Sequence, residues 1–349
     1  MKSVIIQQIE ESGGFLSFAD YMEQCLYHPI HGYYMTEGQK IGKKGDFYTS
    51  SSISDFYGAV MARWFIKRVE AGDIPPVFCE MGSGTGAFIR SFLNEWKKRS
   101  PSLYSQGTVY CIESSPYHAA SLETLEVTRL ASLEDLPDAF SGVFYSNELL
   151  DALPVQIAQN RCGRIVELGV GVNEEDLMLT ARKDESNTLS DYLKWAEISL
   201  QEGYRAEVPS AMLGLLDNLD KKLGDAYLVT ADYGHFSEQL QLRKQGTIRG
   251  YKNHILISNP LSHPFKMDLT YDIPLTAYNI KAAEFGWQEI AVQKKTEFFW
   301  KNNLAGFLQE NHDPNPFSKA SKDNRAIRSL LSHEGMSESF YVLIHRKRG

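Results

Sequence analysis

Short apolar runs and helical patterns alternate along the chain from residue 77 onward. The runs at 77–81, 108–113 and 142–146 have strand length, whereas 87–98 and 116–126 have helical spacing. Such alternation predicts parallel strands joined by crossover helices. The pattern therefore favours an α/β fold built on one doubly wound sheet.

The alternation is interrupted between residues 155 and 225. Strand-like pieces at 154–159 and 164–172 alternate there with acidic helical stretches at 191–200 and 210–223. A structureless connection of this length is uncommon within a compact domain. We therefore expect an inserted α+β subdomain.

The strand pattern resumes at 226–232, and a helix near 275–285 and strands near 288–293 and at 339–345 follow. Helical spacing at 56–69 precedes the first strand and predicts an N-terminal helical cap. The chain is accordingly divided into a cap at 1–75, a core at 76–154 and 226–349, and an insert at 155–225.

The composition indicates a globular protein with a large core. The chain has 349 residues, of which 43% are apolar, and a formal net charge of -8. This acidic balance suits a cationic or neutral substrate and disfavours nucleic acid as a partner. The oligomeric state stays open, with a homodimer among the alternatives.

The cysteines Cys25, Cys79, Cys111 and Cys162 are scattered without a C-x-x-C pair. Since no His, Cys or Asp group has ligand spacing either, the sequence predicts reduced thiols and no metal site. The sequence has no secretory, transit or membrane-spanning pattern. We therefore expect a cytoplasmic protein without a membrane partner.

A glycine-rich run at 80–86, Glu-Met-Gly-Ser-Gly-Thr-Gly, follows the first core strand. Its three glycines bring bare backbone to a ligand at a helix N-terminus. The spacing is tighter than in the dinucleotide fingerprint, and an acid precedes it. S-adenosylmethionine is therefore favoured as the cofactor over NAD, with a dehydrogenase as the rival. The predicted cofactor residues of this loop are Glu80, Gly82, Ser83, Gly84 and Gly86.

Two later strand ends offer further cofactor contacts. Glu113 ends the second strand and is placed to accept hydrogen bonds from ribose hydroxyls, with Ser114 beside it. Glu134 follows the third and could meet the adenine amine. The alternatives are a solvated strand end for Glu113 and an ordinary surface acid for Glu134.

The fourth and fifth strand ends carry the candidate acceptor site. Asn147 and Glu148 are separated from Asp151 by two leucines, so polar groups flank a buried anchor. A capped helix start is the alternative explanation. Further candidates for substrate binding follow the fifth strand, although they could simply satisfy carboxylates or carbonyls: Asp232, Tyr233, Arg249 and His254.

The ordered set of motifs resembles the MidA-like methyltransferases, a family that includes a mitochondrial complex I assembly factor. The resemblance implies a class I methyltransferase fold, which is Rossmann-like, and S-adenosylmethionine as methyl donor. The resemblance also implies methylation of a protein arginine in the mitochondrial members. Asn147 is predicted to contact the cofactor as well. By the family pattern, Gly45, Asp46, Phe47 and Thr49 close over the cofactor. The motifs lie at 28–34, 45–50, 53–54, 80–86, 113–116, 147–154, 232–234, 246–249 with 254, and 268–270.

The chain departs from the family pattern at two places. Ser51 and Ser52 stand where the family has Pro-Glu, and Asp272 and Pro274 stand within a segment that usually reads Asp-x-Thr-x-His-x-Asp. We expect these changes to preserve binding of the methyl donor, whereas the identity of the methyl acceptor does not follow from the family pattern.

The sequence thus predicts a methyltransferase acting on a protein arginine. A guanidinium needs carboxylates that orient it, and Glu148 and Asp151 are the candidates, with Asn147 shaping the pocket. The alternatives are a cofactor-binding assembly or interaction factor with little turnover, and a methyltransferase acting on a small molecule or on RNA.

Overall fold

The structure, a computed structural model, describes residues 2–37, 51–174, 176–310, 315–331 and 338–349, with the backbone alone for 51–55. Its helices are α1 Lys2–Glu11, α2 Phe18–Tyr27, α3 Ser51–Glu70, α4 Ala87–Arg99, α5 Pro101–Tyr104, α6 Pro116–Ser121, α7 Thr188–Trp195, α8 Ser210–Lys222, α9 Ser237–Leu240, α10 Leu275–Glu284, α11 Lys295–Lys301 and α12 Lys319–Leu331. The strands are β1 Leu16–Ser17, β2 Val77–Met81, β3 Thr108–Ile112, β4 Thr128–Leu130, β5 Phe140–Asn147, β6 Gln156–Arg161, β7 Arg164–Asn173, β8 Asp176–Lys183, β9 Arg205–Val208, β10 Leu223–His235, β11 Arg249–Lys252, β12 Ile255–Ile257, β13 Asp268–Thr270, β14 Ile273–Pro274, β15 Gln288–Lys294 and β16 Phe340–Lys347.

The main sheet has the strand order β15-β16-β10-β5-β2-β3-β4, with β14 paired to β10. Strands β10, β5, β2, β3 and β4 run parallel, and β16 is antiparallel to both its neighbours. The chain moves outward from β2 to β4 and then returns to the other side of β2 at β5. The topological switch point therefore lies between β2 and β5, where ligands bind in open α/β sheets.

The parallel strands are buried on both faces, which explains their continuous apolar runs. Phe144 and Tyr145 are neighbours in β5, yet they belong to two hydrophobic clusters on opposite sides of the sheet. The doubly wound sheet predicted from the sequence is thereby confirmed.

A second, antiparallel sheet is built from β6, β7, β8 and β9 of the predicted insert. The N-terminal strand β1 joins it, with Leu16 opposite Val170. Cap and insert therefore share one sheet. The division of the chain into cap, core and insert stays a prediction.

A small three-stranded sheet of order β12-β11-β13 lies after α9, and the sequence patterns did not predict it. Its outer hairpin has exposed apolar residues such as Ile255, so no inward-facing alternation marks these strands. The sheet matters for the site because it carries Arg249.

Some predicted boundaries are wrong. The helix expected at 116–126 ends at Ser121, because Leu122 and Leu125 leave it to pack beside Gly86. The helix expected at 191–200 is α7, which ends at Trp195. The segment around Glu134 is a short 3-10 helix closed by a reciprocal Ser132–Asp135 cap.

No helix in the described ranges is long and apolar enough to cross a membrane.

Helices α3 and α4 pack closely behind the glycine loop, and Gly58 makes this approach possible. A Cβ atom at Gly58 would lie 2.4 Å from the carbonyl oxygen of Phe88 and 2.9 Å from the amide nitrogen of Phe92. Both neighbours are backbone atoms of α4, so they cannot turn aside.

We expect Gly58→Ala to destabilise the protein by about 1–3 kcal/mol, because the two helices must separate. Gly214→Ala is the matched control, since Gly214 also lies in a helix but a Cβ there would meet nothing within 4 Å. That change is expected to stabilise by up to about 1 kcal/mol through helix propensity. Urea unfolding measures both, and equal effects of the two changes would contradict the packing argument.

Candidate active site

The glycine loop leaves β2 and enters α4 with a backbone that requires glycine. Gly82, Gly84 and Gly86 have φ angles of 75°, 52° and 72°. A Cβ at Gly86 would also lie 2.8 Å from Cδ2 of Leu122. Backbone amides can therefore face a ligand at the start of α4 without side chains in the way.

Glu80 lies beneath this loop and is almost completely buried. Burial raises the pKa of its carboxyl group well above the usual value. Within the described part of the chain, its Oε2 atom has no hydrogen-bond partner. Such an orphaned acceptor fits a ligand that brings an N–H donor, as S-adenosylmethionine does with its amino group. The hydroxyl of Ser83 donates to the carbonyl oxygen of Glu80 at 3.3 Å.

Glu113 joins the first two strand ends. Its Oε2 accepts from the amide of Gly84 at 2.7 Å, and its Oε1 accepts from the amide of Ser115 at 2.8 Å. The Ser115 hydroxyl in turn donates to the carbonyl oxygen of Tyr34 at 2.8 Å, which connects the N-terminal cap to this edge. Ser114 is exposed beside them. The hydrogen bond from Gly84 thus holds the carboxyl group of Glu113 against the glycine loop.

Glu134 is exposed on its 3-10 helix, and Lys222 donates to its carbonyl oxygen at 2.9 Å. The predicted lid residues Gly45, Asp46, Phe47 and Thr49 lie outside the described residues. The roles of Glu134 and of these four residues stay predictions.

Asn147 ends β5 and Glu148 follows it, directly across the switch point from the loop. Glu148 has a φ angle of 48°, which is unfavourable for a residue with a side chain. Its amide donates to the carbonyl oxygen of Ala231 at 2.9 Å, and its Oε1 accepts from the Asn147 amide group at 3.3 Å. Burial raises the pKa of Glu148, and the charge of Lys295 opposes this rise. The structure thus presents a half-buried carboxylate here.

Asp232 is fully buried at the end of β10 and fixes the turn after β5. Its Oδ2 accepts from the amides of Leu150 and Asp151 at 2.9 and 3.3 Å, and its Oδ1 accepts from the amide of Tyr233 at 2.8 Å. These contacts show a structural role for Asp232, while contact with substrate stays a prediction.

Asp151 is buried in the same turn. Its Oδ2 accepts from the hydroxyl of Thr270 at 2.9 Å, which attaches β13 to the turn. Burial and the charges of Asp232, Glu148 and Asp268 raise the pKa of Asp151 well above its usual value. Its predicted part in a guanidinium clamp has not been tested.

A cleft of about 760 Å³ opens beyond the end of β10. Two of the predicted substrate-binding residues, Tyr233 and Arg249, line it. His254 lies in the exposed turn between β11 and β12. The lining is Tyr233, His235, Gln239, Arg243, Gly246, Thr247, Arg249, Tyr251, Asp272, Lys294, Thr296, Glu338 and Ser339.

A salt bridge and two hydrogen bonds hold this wall of the cleft, and among their residues Glu207 was not predicted from the sequence. Nη1 of Arg249 lies 2.8 Å from Oδ1 of Asp272. The Asp272 amide donates to the Thr247 hydroxyl at 3.0 Å, and the buried Glu207 accepts from the amide of Thr247 at 2.6 Å. The acidic residue within the buried strand β9 was the available signal. Glu207 thus links the insert's sheet to the cleft.

In the described ranges, no group of His, Cys, Asp and Glu side chains is arranged to hold a metal ion.

A family model described as "Putative S-adenosyl-L-methionine-dependent methyltransferase" matches residues 60–293. The chain belongs to this methyltransferase family. The resemblance to MidA-like methyltransferases is therefore confirmed, as is S-adenosylmethionine as the cofactor of the family. When bound, this cofactor supplies an electrophilic methyl group on a sulfonium.

Relatives and solved structures agree with this assignment. A mitochondrial protein arginine methyltransferase homologue of Drosophila melanogaster is 28% identical over 299 residues, 75% of this chain and 65% of the relative. The Caenorhabditis elegans homologue is 24% identical, covering 96% of this chain and 82% of the relative. The chain thus spans less than two thirds of the fly protein.

A crystal structure from Burkholderia thailandensis, bound to S-adenosyl-homocysteine, superposes with a TM-score of 0.88 at 24% identity. The superposition covers 99% of this chain and 91% of the chain in the crystal structure. The predicted class I methyltransferase fold is confirmed by this likeness.

The expected cytoplasmic location is wrong, as the names of the relatives show. The fly, mouse and human relatives are all named as mitochondrial proteins. The lack of secretory, transit and membrane-spanning patterns in the sequence therefore does not support a cytoplasmic location.

We expect Glu113→Ala to weaken binding of S-adenosyl-homocysteine by about 10- to 100-fold. The change removes a charged acceptor at the loop, and hydrogen bonds to charged groups contribute about 1.5–3 kcal/mol. Isothermal titration calorimetry measures the affinity. Glu123→Ala is the control, because Glu123 is exposed and pairs with Arg129. Wild-type affinity in Glu113→Ala would contradict the role of this carboxylate.

Asp232 predicts a pH dependence of stability. Burial and the charge of Glu148 raise its pKa to about 8, above an unfolded value of about 4. A carboxyl group whose pKa rises on folding stabilises the protein below its unfolded pKa, and this stability is lost as the pH rises through the folded pKa. The free energy of unfolding is therefore expected to fall from about pH 4 to about pH 8.

Urea unfolding at about pH 5, 7 and 9 measures this slope in the wild type and in Asp232→Asn. The variant is expected to be less stable at low pH but flatter across the range, because its amide does not titrate. Asp138→Asn, at an exposed side chain, serves as the control and is expected to keep the wild-type slope. Equal slopes in all three proteins would contradict a raised pKa.

Proposed function

We propose that this protein transfers a methyl group from S-adenosylmethionine to an arginine side chain of a protein. The observation that carries the proposal is the half-buried carboxylate of Glu148, held on a left-handed backbone across the switch point from the glycine loop. The names of the fly and nematode relatives, protein arginine methyltransferases, support the same acceptor.

The reaction is an in-line displacement at the methyl carbon. A nitrogen–carbon bond forms as the sulfur–carbon bond breaks, the sulfonium becomes a neutral thioether, and the acceptor nitrogen gives up one proton. The protein's task is to align the two reacting atoms and exclude water. In this proposal Glu148 aligns the acceptor, and Asn147 orients Glu148 through their 3.3 Å hydrogen bond.

A guanidinium requires this kind of partner. It is always protonated in water, and its planar fork of donors matches a carboxylate. The half-buried carboxyl group of Glu148 is the candidate for this partner. The cleft of about 760 Å³ beyond the end of β10, which Tyr233 and Arg249 line, is large enough for an extended side chain and part of the main chain that bears it. The net charge of -8 agrees with a basic protein acceptor rather than RNA.

We expect Glu148→Gln to keep S-adenosyl-homocysteine affinity within about twofold and to lower methyl transfer by at least about 100-fold. The change preserves shape but removes the charge that holds the acceptor. Radiolabelled methyl transfer and calorimetric titration of the same preparations measure the two quantities.

Glu197→Gln is the matched control for this experiment. Glu197 is also a glutamate with a left-handed φ, 59°, but it is exposed on the insert. It is expected to behave as wild type. Undiminished transfer in Glu148→Gln would sink the assignment of Glu148.

The acceptor itself is identified by incubating the protein and tritiated S-adenosylmethionine with lysate of its source organism. Label at arginine in a protease-sensitive band supports the proposal. Label in RNA or in small metabolites overturns it, and absence of label in every fraction favours an assembly factor with little turnover.

A further inference from the structure

Three strongly basic side chains line the cleft beyond the end of β10, and they differ in what holds them. Nη1 of Arg249 lies 2.8 Å from Oδ1 of Asp272, so a carboxylate opposes its charge. Arg243 and Lys294 line the same cleft, but among the described residues neither has a carboxylate within ion-pair distance. The cleft thus contains two cations whose charge no ion pair balances.

Arg243 is held by a neutral partner. Its guanidinium contacts Nε2 of His235. Nδ1 of His235 donates to the carbonyl oxygen of Gly234 at 2.6 Å, so Nε2 of the neutral ring is the acceptor that faces Arg243. Burial lowers the pKa of His235, against the charge of Asp272, and the charges of Arg243 and Lys294 lower it further. The ring therefore orients Arg243 without cancelling its charge.

Lys294 is also held by groups that carry no negative charge. Its ammonium group donates to the carbonyl oxygen of Glu338 and lies 3.9 Å from the ring centroid of Tyr341. A carbonyl oxygen and an aromatic face position an ammonium group and leave its formal charge in place. Lys294 ends β15, whereas Arg243 follows α9, so two distant segments of the chain place cations in one cleft.

The rest of the lining indicates which kind of anion fits. Two acids, Asp272 and Glu338, line the same cleft and repel a ligand of dense negative charge such as RNA. A peptide with a single carboxylate avoids most of this repulsion, and its main-chain amides can form hydrogen bonds with neutral hydroxyl and amide groups. Four lining side chains carry such groups: Gln239, Thr247, Thr296 and Ser339.

The cleft lies at the sheet edge that carries the candidate acceptor site. Tyr233 lines the cleft and follows Ala231 by two residues in β10, and Ala231 is paired with Asn147 of β5. The amide of Glu148 donates to the carbonyl oxygen of the same Ala231 at 2.9 Å. A polypeptide that occupies the cleft is therefore at the edge where β5 ends.

We propose that Arg243 and Lys294 bind a carboxylate side chain of the acceptor protein, in a cleft that receives the segment around the methylated arginine. This inference rests on the proposed function and specifies its substrate class, a protein whose acceptor arginine has an aspartate or glutamate nearby in the sequence. A guanidinium and an ammonium group both form charge-assisted hydrogen bonds with a carboxylate. A local acidic residue is compatible with an acceptor protein that is basic as a whole.

The test uses three fluorescein-labelled peptides that share a central arginine and differ only in the flanking residues, which are glutamate, glutamine or lysine. Fluorescence anisotropy measures their affinities for the full chain with S-adenosyl-homocysteine bound. At low salt the glutamate peptide is expected to bind about tenfold more tightly than the glutamine peptide, and added salt is expected to reduce the difference. Because the net charge of -8 repels acidic peptides in general, such a preference requires a local positive site. Equal affinities of these two peptides overturn the proposal.

Two variants locate the preference in the cleft. Arg243→Gln and Lys294→Gln are each expected to weaken binding of the glutamate peptide by about five- to tenfold and to leave the glutamine peptide within about twofold. Arg243→Lys, which keeps the charge, is expected to retain most of the preference. Lys244→Gln is the matched control, because Lys244 is exposed beside Arg243 but outside the described lining of the cleft.

A full preference for the glutamate peptide in both glutamine variants overturns the proposal. Each variant is also titrated with S-adenosyl-homocysteine, and an affinity within about twofold of wild type shows that its fold is intact. An RNA oligonucleotide with the same net charge as the glutamate peptide serves as competitor. If it binds more tightly than the peptide, and loses this affinity in Arg243→Gln and Lys294→Gln, the site recognises phosphates and the proposal is wrong.

Peptide binding does not depend on turnover, so the two proposals can fail separately. If the glutamate peptide binds through Arg243 and Lys294 but tritium is never transferred to arginine, the proposed function alone fails. If arginine is labelled in the lysate but glutamate gives no advantage in binding, the role of Arg243 and Lys294 alone fails.

Discussion

The three backbone hydrogen bonds accepted by the Asp232 carboxylate are the constraint on which the site depends. Two of them tie the turn after β5 to the end of β10, so that two strands present their carboxyl ends as one surface. The third comes from the adjacent Tyr233 in β10. Glu148 directly follows β5 and Tyr233 lies near the end of β10, so neighbouring strands bring both residues to this surface. Burying a carboxyl group costs free energy, and the cost is smaller when backbone amides donate hydrogen bonds to its oxygens. The pKa of the neighbouring Asp151 is raised first by the burial of Asp151 itself, and the charge of Asp232 adds to the rise.

Periodicity predicted the parts of the fold that follow from local chain chemistry. The strands from 77 to 146 and the helix after the glycine loop lie close to their expected bounds, because their apolar runs are buried on both faces. The joining of β1 to β7 could not be predicted, since pairing of a two-residue strand with a distant partner leaves no local pattern. The hairpin that carries Arg249 was missed for a similar reason, because its outer residues are apolar and exposed.

The same division holds for the site. Glu80, the loop glycines and Glu113 could be named because strand ends at a switch point are fixed by topology. The sequence does not distinguish a carboxyl group that holds the fold from one that binds a ligand, as Asp232 shows. Glu207 was not predicted because it reaches the wall of the cleft from the insert, a distant part of the chain, and its acidic side chain within a buried strand was the signal in the sequence.

The pairing of β1 with β7 sets the order in which the protein can be completed during synthesis. The first residues leave the ribosome long before the strand that Leu16 pairs with, so the cap must wait without a partner. The segment around Tyr34 also lacks its contact at first, because Ser115, whose hydroxyl donates to the carbonyl oxygen of Tyr34, is synthesised later. The N-terminal strand can thus pair only after β7 has been synthesised, although it precedes β7 by about 150 residues in the chain.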